Sequence, residues 1–149
     1  MVTLIGMGSG KWEALSAQAQ QAVRSAGLVF GAKRLLAGLP PECTARQFAL
    51  YQPADILETL AQNSGQDAAV LYSGDTGFYS GASGLLTPLR ALGIPARVYP
   101  GVSSIQMLSA ALGRPWQDWK LVSAHGCACD PVAECMMNRS VFFLTGGTE

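Results

Sequence analysis

Hydrophobic positions in the first 112 residues follow two alternating patterns. Short uncharged apolar runs predict buried strands, and stretches with apolar residues every three or four positions predict amphipathic helices. The predicted strands are Val2–Ile5, Leu28–Phe30, Arg46–Leu50, Ala68–Tyr72 and Ala96–Tyr99, and the predicted helices are Ala14–Ala26, Lys33–Ala37, Pro53–Ala61, Gly81–Leu92 and Ser103–Leu112. Apolar strands that alternate with helices indicate an α/β fold with a mostly parallel sheet covered on both faces.

The alternation breaks at residues 113–119, which have no periodicity and which we interpret as a linker. The pattern then predicts a strand, a helix and a strand, at Lys120–Ala124, Pro131–Met137 and Val141–Leu144. A unit of this size cannot bury both edges of its sheet. We therefore expect an N-terminal domain at 1–112 and the start of a second, apparently truncated α/β domain at 120–149.

Composition excludes several classes of protein. Of the 149 residues, 49% are hydrophobic, and ten basic residues balance ten acidic ones. Nucleic-acid binding needs clustered positive charge, and a disordered chain would be poor in apolar residues, so neither is expected. No apolar run approaches the roughly 18 to 20 residues of a membrane span, and the N-terminus lacks the pattern of a signal peptide. We expect a cytoplasmic protein that binds no membrane.

Three turns that follow predicted strands are rich in small residues. We call Gly6–Gly10 the first turn, Ser73–Gly77 the second turn and Pro100–Ser104 the third turn. Ligands of open parallel sheets bind outside the carboxyl ends of the strands, so the three turns are expected to meet at one crevice. Small residues there let a ligand approach the backbone and its N–H groups.

Two familiar glycine motifs do not match the first turn. A dinucleotide fingerprint needs glycine where Lys11 stands, and a nucleoside-triphosphate loop needs glycine at Ile5 and Ser or Thr at Trp12. A nicotinamide cofactor and ATP hydrolysis are therefore not expected. Alone, the first turn is more typical of a tight connection than of a ligand site.

The three turns together, in this order, resemble those of the tetrapyrrole methylases, the S-adenosylmethionine-dependent enzymes of corrin and sirohaem synthesis. The resemblance extends from Val2 to Thr145. Four further segments are most similar to the members that methylate carbon 5 of a precorrin in cobalamin biosynthesis, the precorrin-6Y C5,15 type. These segments are Gly31–Leu36, Ser103–Gln106, Pro115–Asp118 and Val122–Gly126.

The resemblance implies two α/β domains with S-adenosylmethionine bound in the cleft between them and S-adenosylhomocysteine as the product. The residues that would line the cofactor site are Ser9, Gly74, Asp75, Thr76, Tyr79, Ser103 and Ser104. The resemblance also implies a homodimer, a precorrin or cobalt-precorrin substrate, and a C15-methylating decarboxylase as a separate or fused partner. The family usually has proline at Thr76, so the second turn should be looser here, and it usually has proline at Ser9.

Several candidate residues have two readings. Asp75 could be a turn-forming aspartate, a residue directed at ligand or substrate, including a catalytic one, or both. His125 could bind an acetate or propionate group of the macrocycle, or be an ordinary loop histidine. Lys33 and Arg34 could meet the carboxylates of a corrin precursor, or lie on a solvated helix face.

The segment with His125, Cys127 and Cys129 is spaced too tightly for a typical zinc site, so no metal is expected. The four cysteines are expected to be reduced thiols. Two other functions stay open from the residues: a tetrapyrrole methylase that acts at another ring carbon, and a non-catalytic module that binds a small ligand.

Overall fold

The computed structural model describes residues 1–125 and 128–146. The chain divides into two compact units, Met1–Ser103 and Ser104–Glu149. The domain boundaries at 112 and 119 stay predictions.

The first unit alternates strands and helices, which confirms the α/β class. Its strands are β1 Val2–Gly6, β2 Leu28–Phe30, β3 Arg46–Phe48, β4 Ala68–Tyr72 and β5 Ala96–Tyr99, and its helices are α1 Ala17–Ser25, α2 Lys33–Leu36, α3 Pro53–Gln62 and α4 Ala82–Ala91. Helix α1 begins three residues later than predicted. The reason is local: the Ser16 side chain accepts a hydrogen bond from the Ala19 amide at 3.2 Å and caps the helix, while Trp12–Ala14 form a separate 3-10 turn.

The five strands form one parallel sheet in the order β3-β2-β4-β1-β5. The connection from β1 to β2 passes over β4, and the connection from β4 to β5 passes over β1 in the opposite direction. Right-handed crossovers then place α1 and α2 on one face and α3 and α4 on the other. Strand β1 lies between β4 and β5. The connections that leave β1 and β4 run in opposite directions along the sheet, so the direction reverses at this pair of strands.

Neighbouring residues of each central strand bury their side chains on opposite faces of the sheet. Ile5 packs in a cluster with Val23 of α1, whereas Leu4 packs in a second cluster with Ile56 of α3 and Leu85 of α4. All of these side chains are completely or almost completely buried. Two apolar layers therefore cover the sheet, as the uncharged strands predicted.

The second unit contains helix α5 Ser104–Leu112, strand β6 Lys120–Ser123, helix α6 Pro131–Met137 and strand β7 Val141–Leu144. Strands β6 and β7 form a parallel pair in which Lys120 lies opposite Val141. Asp130 caps α6, because its carboxylate accepts hydrogen bonds from the Val132 and Ala133 amides, both at 3.1 Å. Within the described residues, none of the helices combines the length and apolarity that a membrane crossing requires.

Candidate functional site

The first and second turns are joined through their backbones at the carboxyl edge of the sheet. The Gly8 amide donates to the Gly74 carbonyl at 3.0 Å, and the Gly74 amide donates to the Gly8 carbonyl at 2.9 Å. Both glycines are in the left-handed region, with φ of 55° and 63°, which explains why side chains are missing there. This reciprocal pair makes one continuous rim from two turns.

The third turn approaches the same rim so closely that only glycine fits. A β-carbon on Gly6 would lie 2.6 Å from the Gly101 nitrogen and 2.7 Å from the Gly74 oxygen. A β-carbon on Gly101 would lie 2.5 Å from the Gly6 oxygen. The three turns therefore meet backbone to backbone. The glycines at the end of β1 and directly after Pro100 are the only sign of this contact in the sequence, and the contact itself was not predicted.

Asp75 connects the second turn to the third. One carboxylate oxygen, Oδ2, accepts a hydrogen bond from the Gly77 amide at 3.0 Å, and Oδ1 accepts one from the Gly101 amide at 3.1 Å. The Thr76 hydroxyl adds a long hydrogen bond of 3.5 Å to the Tyr99 carbonyl. The structure thus shows the turn-forming arrangement for Asp75, and a catalytic role stays a prediction.

The other cofactor candidates differ in exposure. Ser103 is buried, with 4% of its surface exposed, and Ser9 is exposed. Tyr79 is half-exposed, has a φ of 47°, and its ring meets the Phe78 ring edge-on at 4.9 Å between centroids. Ser104 begins α5 in the second unit. The predicted cofactor residues other than Ser104 all belong to the first unit, and their role towards a cofactor stays a prediction.

Of the predicted substrate residues, Arg34 lies at the rim. Its guanidinium donates a hydrogen bond to the Ser73 hydroxyl and lies 3.8 Å from where a β-carbon on Gly10 would be. Lys33, at the start of α2, is exposed. His125 belongs to the second unit, is exposed, and its imidazole lies against Gly146.

Tyr72 lies next to the second turn in the sequence, and its side chain packs against the apolar cluster that contains α3 and α4. It ends β4, directly before the second turn, and burial raises the pKa of its phenol to about 12. The phenol is therefore neutral over the physiological pH range and can serve as a hydrogen-bond donor. Its position in an apolar strand gave no sign of this, because a tyrosine there resembles any other core residue.

No metal was expected at the segment with His125, Cys127 and Cys129. Of these three residues, Cys127 lies outside the described part of the chain. Among the residues that are described, histidine, cysteine and acidic side chains form no group of three that could hold a metal ion. The described polar groups of the rim are instead backbone groups, hydroxyls, the Asp75 carboxylate and the Arg34 guanidinium. Such groups fit a nucleoside carrying an amino-acid group, which offers a flat base, hydroxyls and charged ends.

The sequence matches the family of tetrapyrrole (corrin/porphyrin) methylases over residues 1–147. It is 32% identical to the cobalt-precorrin-7 C(5)-methyltransferase of Salmonella typhimurium over 147 residues, which are 97% of this chain and 71% of that enzyme. It is 30% identical to a probable cobalt-precorrin-7 C(5)-methyltransferase of Methanocaldococcus jannaschii over 132 residues, 85% of this chain and 61% of that protein.

The fold has the same relationship to solved structures. A crystal structure of a cobalamin biosynthesis precorrin-6Y methylase from Archaeoglobus fulgidus superposes with a TM-score of 0.70 at 20% identity, covering 97% of this chain and 72% of that one. At this identity the similarity shows the fold alone. Together with the match over almost the whole sequence, it establishes that the chain belongs to the tetrapyrrole methylase family of S-adenosylmethionine-dependent methyltransferases.

Proposed function

We propose that this chain transfers a methyl group from S-adenosylmethionine to carbon 5 of a precorrin or cobalt-precorrin in cobalamin biosynthesis. The observation that carries the proposal is the meeting of the three turns, through the Gly8–Gly74 hydrogen bonds and the Gly6–Gly101 contact. The choice of carbon 5 is supported by the 32% identity to the Salmonella enzyme, a cobalt-precorrin-7 C(5)-methyltransferase.

The cofactor would be held at the rim by Ser9, Gly74, Asp75, Thr76, Tyr79, Ser103 and Ser104. It supplies a methyl group on a sulfonium, which an electron-rich ring carbon can attack directly. The residues of the rim then have three tasks: to bind, to align the two reactants at near-attack distance, and to keep water out. A rim of backbone groups with few bulky side chains suits these tasks, because a planar macrocycle can approach it closely.

Arg34 is the residue best placed to bind the substrate. Corrin precursors carry many carboxylates, and a guanidinium pairs with a carboxylate through two parallel hydrogen bonds. The hydrogen bond to Ser73 holds the Arg34 side chain over the rim, so less rotational freedom is lost on binding. Lys33 and His125 are proposed as further contacts to the carboxylates.

The remaining parts of the proposal concern the assembly. We propose a cytoplasmic homodimer that works with a C15-methylating decarboxylase, either as a separate chain or as a fused domain. Size-exclusion chromatography with light scattering tests the dimer, because a mass of one chain would contradict it.

The decisive experiment is calorimetric titration of the 149-residue chain with S-adenosylhomocysteine. We expect saturable binding in the micromolar range, and an absence of binding would overturn the proposal. Arg34→Ala should bind S-adenosylhomocysteine as the wild type does and methylate the precorrin with a raised KM. Arg90→Ala is the matched control, since Arg90 is an exposed arginine in the last turn of α4.

The ring position is tested by the product. After incubation of the chain with S-adenosylmethionine labelled in its methyl group and the C5-unmethylated precorrin, carbon NMR should place the label on carbon 5. A label on another ring carbon would identify a methylase of different position. Binding of S-adenosylhomocysteine with no methylated product from any precorrin would indicate a non-catalytic module.

A further inference from the structure

Asp75 differs from the other polar residues of the rim because both of its carboxylate oxygens accept backbone hydrogen bonds. The Oδ2 atom is bonded within its own turn, to the Gly77 amide at 3.0 Å. The Oδ1 atom is bonded to a different turn, at the Gly101 amide, 3.1 Å away. Hydrogen bonds to a charged acceptor are about twice as strong as those between neutral groups. Asp75 therefore holds two turns in a fixed relation.

The position of Gly101 determines the shape of the whole rim. Its α-carbon is the point where the third turn approaches Gly6 and Gly74, with room for a hydrogen and not for a methyl group. A small displacement of the Gly101 amide would consequently separate the third turn from the first and the second at once. The carboxylate of Asp75 fixes that amide from the side of the second turn.

Thr76 strengthens the same connection. Its hydroxyl donates a hydrogen bond of 3.5 Å to the Tyr99 carbonyl. Tyr99 is the last residue of β5 and lies two residues before Gly101. This hydrogen bond connects the second turn, which follows β4, to the end of β5, on the far side of β1 in the sheet. Asp75 and Thr76 thus fix the end of β5 at an amide and at a carbonyl.

We infer that Asp75 is a positioning residue, which acts on the cofactor through the third turn and does not exchange a proton with the substrate. The inference rests on the proposed function. The two amides hold the carboxylate in one orientation, and rotating it would release the Gly77 or the Gly101 amide and leave it unpaired. Methyl transfer from a sulfonium to an electron-rich carbon depends on alignment, so a residue that fixes the rim contributes more than a base would.

The test separates positioning from proton transfer through Asp75→Ala and Asp75→Asn. For Asp75→Ala we expect the Kd for S-adenosylhomocysteine and the KM for S-adenosylmethionine to rise by about tenfold or more, with a smaller fall in kcat. Asp75→Asn keeps one acceptor oxygen and should lie between the wild type and Asp75→Ala. The pH profile of kcat should keep its wild-type shape in both variants. Wild-type affinity with a large loss of kcat would overturn the inference and assign a catalytic role.

A second readout needs no cofactor. Amide hydrogen exchange of Gly77 and Gly101 should be about tenfold faster in Asp75→Ala than in the wild type, because both amides lose their acceptor. Asp55→Asn, which changes an exposed carboxylate in the first turn of α3, is the control and should leave both amides unchanged. Unchanged exchange in Asp75→Ala would overturn the inference even if the wild type binds S-adenosylhomocysteine. Conversely, a wild type that binds none would overturn the proposed function and leave the exchange result valid.

Discussion

The two units bury their apolar residues to very different extents. In the first, the inner strands β2, β4 and β1 of a five-stranded sheet are covered on both faces, so that adjacent residues such as Leu4 and Ile5 are both completely buried. In the second, the sheet has two strands, and α6 exposes Val132, Met136 and Met137, the two methionines each with 83% of their surface accessible. A sheet whose inner strands are packed on both faces resists local opening better than a two-stranded sheet.

This difference bears directly on function. The Gly8–Gly74 hydrogen bonds, the Gly6–Gly101 contact and the Asp75 bonds all lie within the first unit. The rim is therefore formed within the first unit, at the ends of β1, β4 and β5. Preorganisation of this kind lowers the cost of aligning two reactants. The comparison predicts that damage to the first unit affects binding and that damage to the second leaves the rim intact.

The largest effect is expected from Gly6→Ala. The added methyl group would press on the Gly101 nitrogen and the Gly74 oxygen, so the turns must separate. We expect binding of S-adenosylhomocysteine to be lost and the free energy of unfolding to fall by about 3 kcal/mol or more, measured by calorimetry and urea denaturation.

Gly84→Ala is the matched control for Gly6→Ala. Gly84 lies inside α4, and a β-carbon there would have Pro53 Cγ as its nearest neighbour, at an ordinary 3.6 Å. Alanine should stabilise the helix by about 0.5 to 1 kcal/mol and leave binding unchanged. A Gly6→Ala protein that binds as well as the wild type would show that the close approach of the turns is not required.

A core truncation should lower the free energy of unfolding without pressing the three turns apart, and it tests whether the units open independently. Leu85→Ala removes a completely buried side chain of α4 and should cost about 2 to 5 kcal/mol, whereas Met136→Ala in α6 should change stability by less than about 0.5 kcal/mol. Hydrogen exchange should become faster in β1 and β4 of Leu85→Ala and stay unchanged in β6 and β7. Equally faster hydrogen exchange in all four strands would contradict this prediction, since the two units would then unfold as one.

The sequence predicted the elements of both units well, because β1, β2, β4 and β7 are uncharged apolar runs and the longer helices have an apolar period. Strands β3, β5 and β6 each carry one basic residue, Arg46, Arg97 and Lys120. The errors lie where a local polar contact ends or starts an element. Helix α1 begins after its cap Ser16, which is later than the apolar pattern predicts. Strand β3 ends at Phe48, because the Leu50 amide donates a hydrogen bond to the Phe48 carbonyl. Apolar periodicity carries no information about such contacts.

The site was predicted only in part, for a different reason. Glycine-rich turns after strands indicated which segments would meet, and the parallel sheet brings them to one edge. The contacts that shape the rim depend on β1 lying between β4 and β5, and a single sequence does not specify strand order. The bond from Asp75 to Gly101 joins residues 26 positions apart, so neither motif could reveal it alone.

The smallest effect is expected at alkaline pH. It reports on the first unit alone, because all four tyrosines lie there. Burial raises the pKa of Tyr72 from its ordinary value of 10.0 to about 12, so the folded state favours the neutral phenol. The stability that this contributes is fully present below pH 10 and is lost as the pH rises towards about 12. Urea denaturation across this range, followed by Trp12 emission in a chain with Trp116→Phe and Trp119→Phe, should show a shallower decline for Tyr72→Phe than for its parent. Tyr51→Phe, at an exposed position, should decline as the parent does. If the free energy of unfolding of Tyr72→Phe declined as steeply with pH as that of its parent, the loss at alkaline pH would come from groups other than Tyr72. The buried phenol would then contribute nothing to the stability of the strand that precedes the second turn.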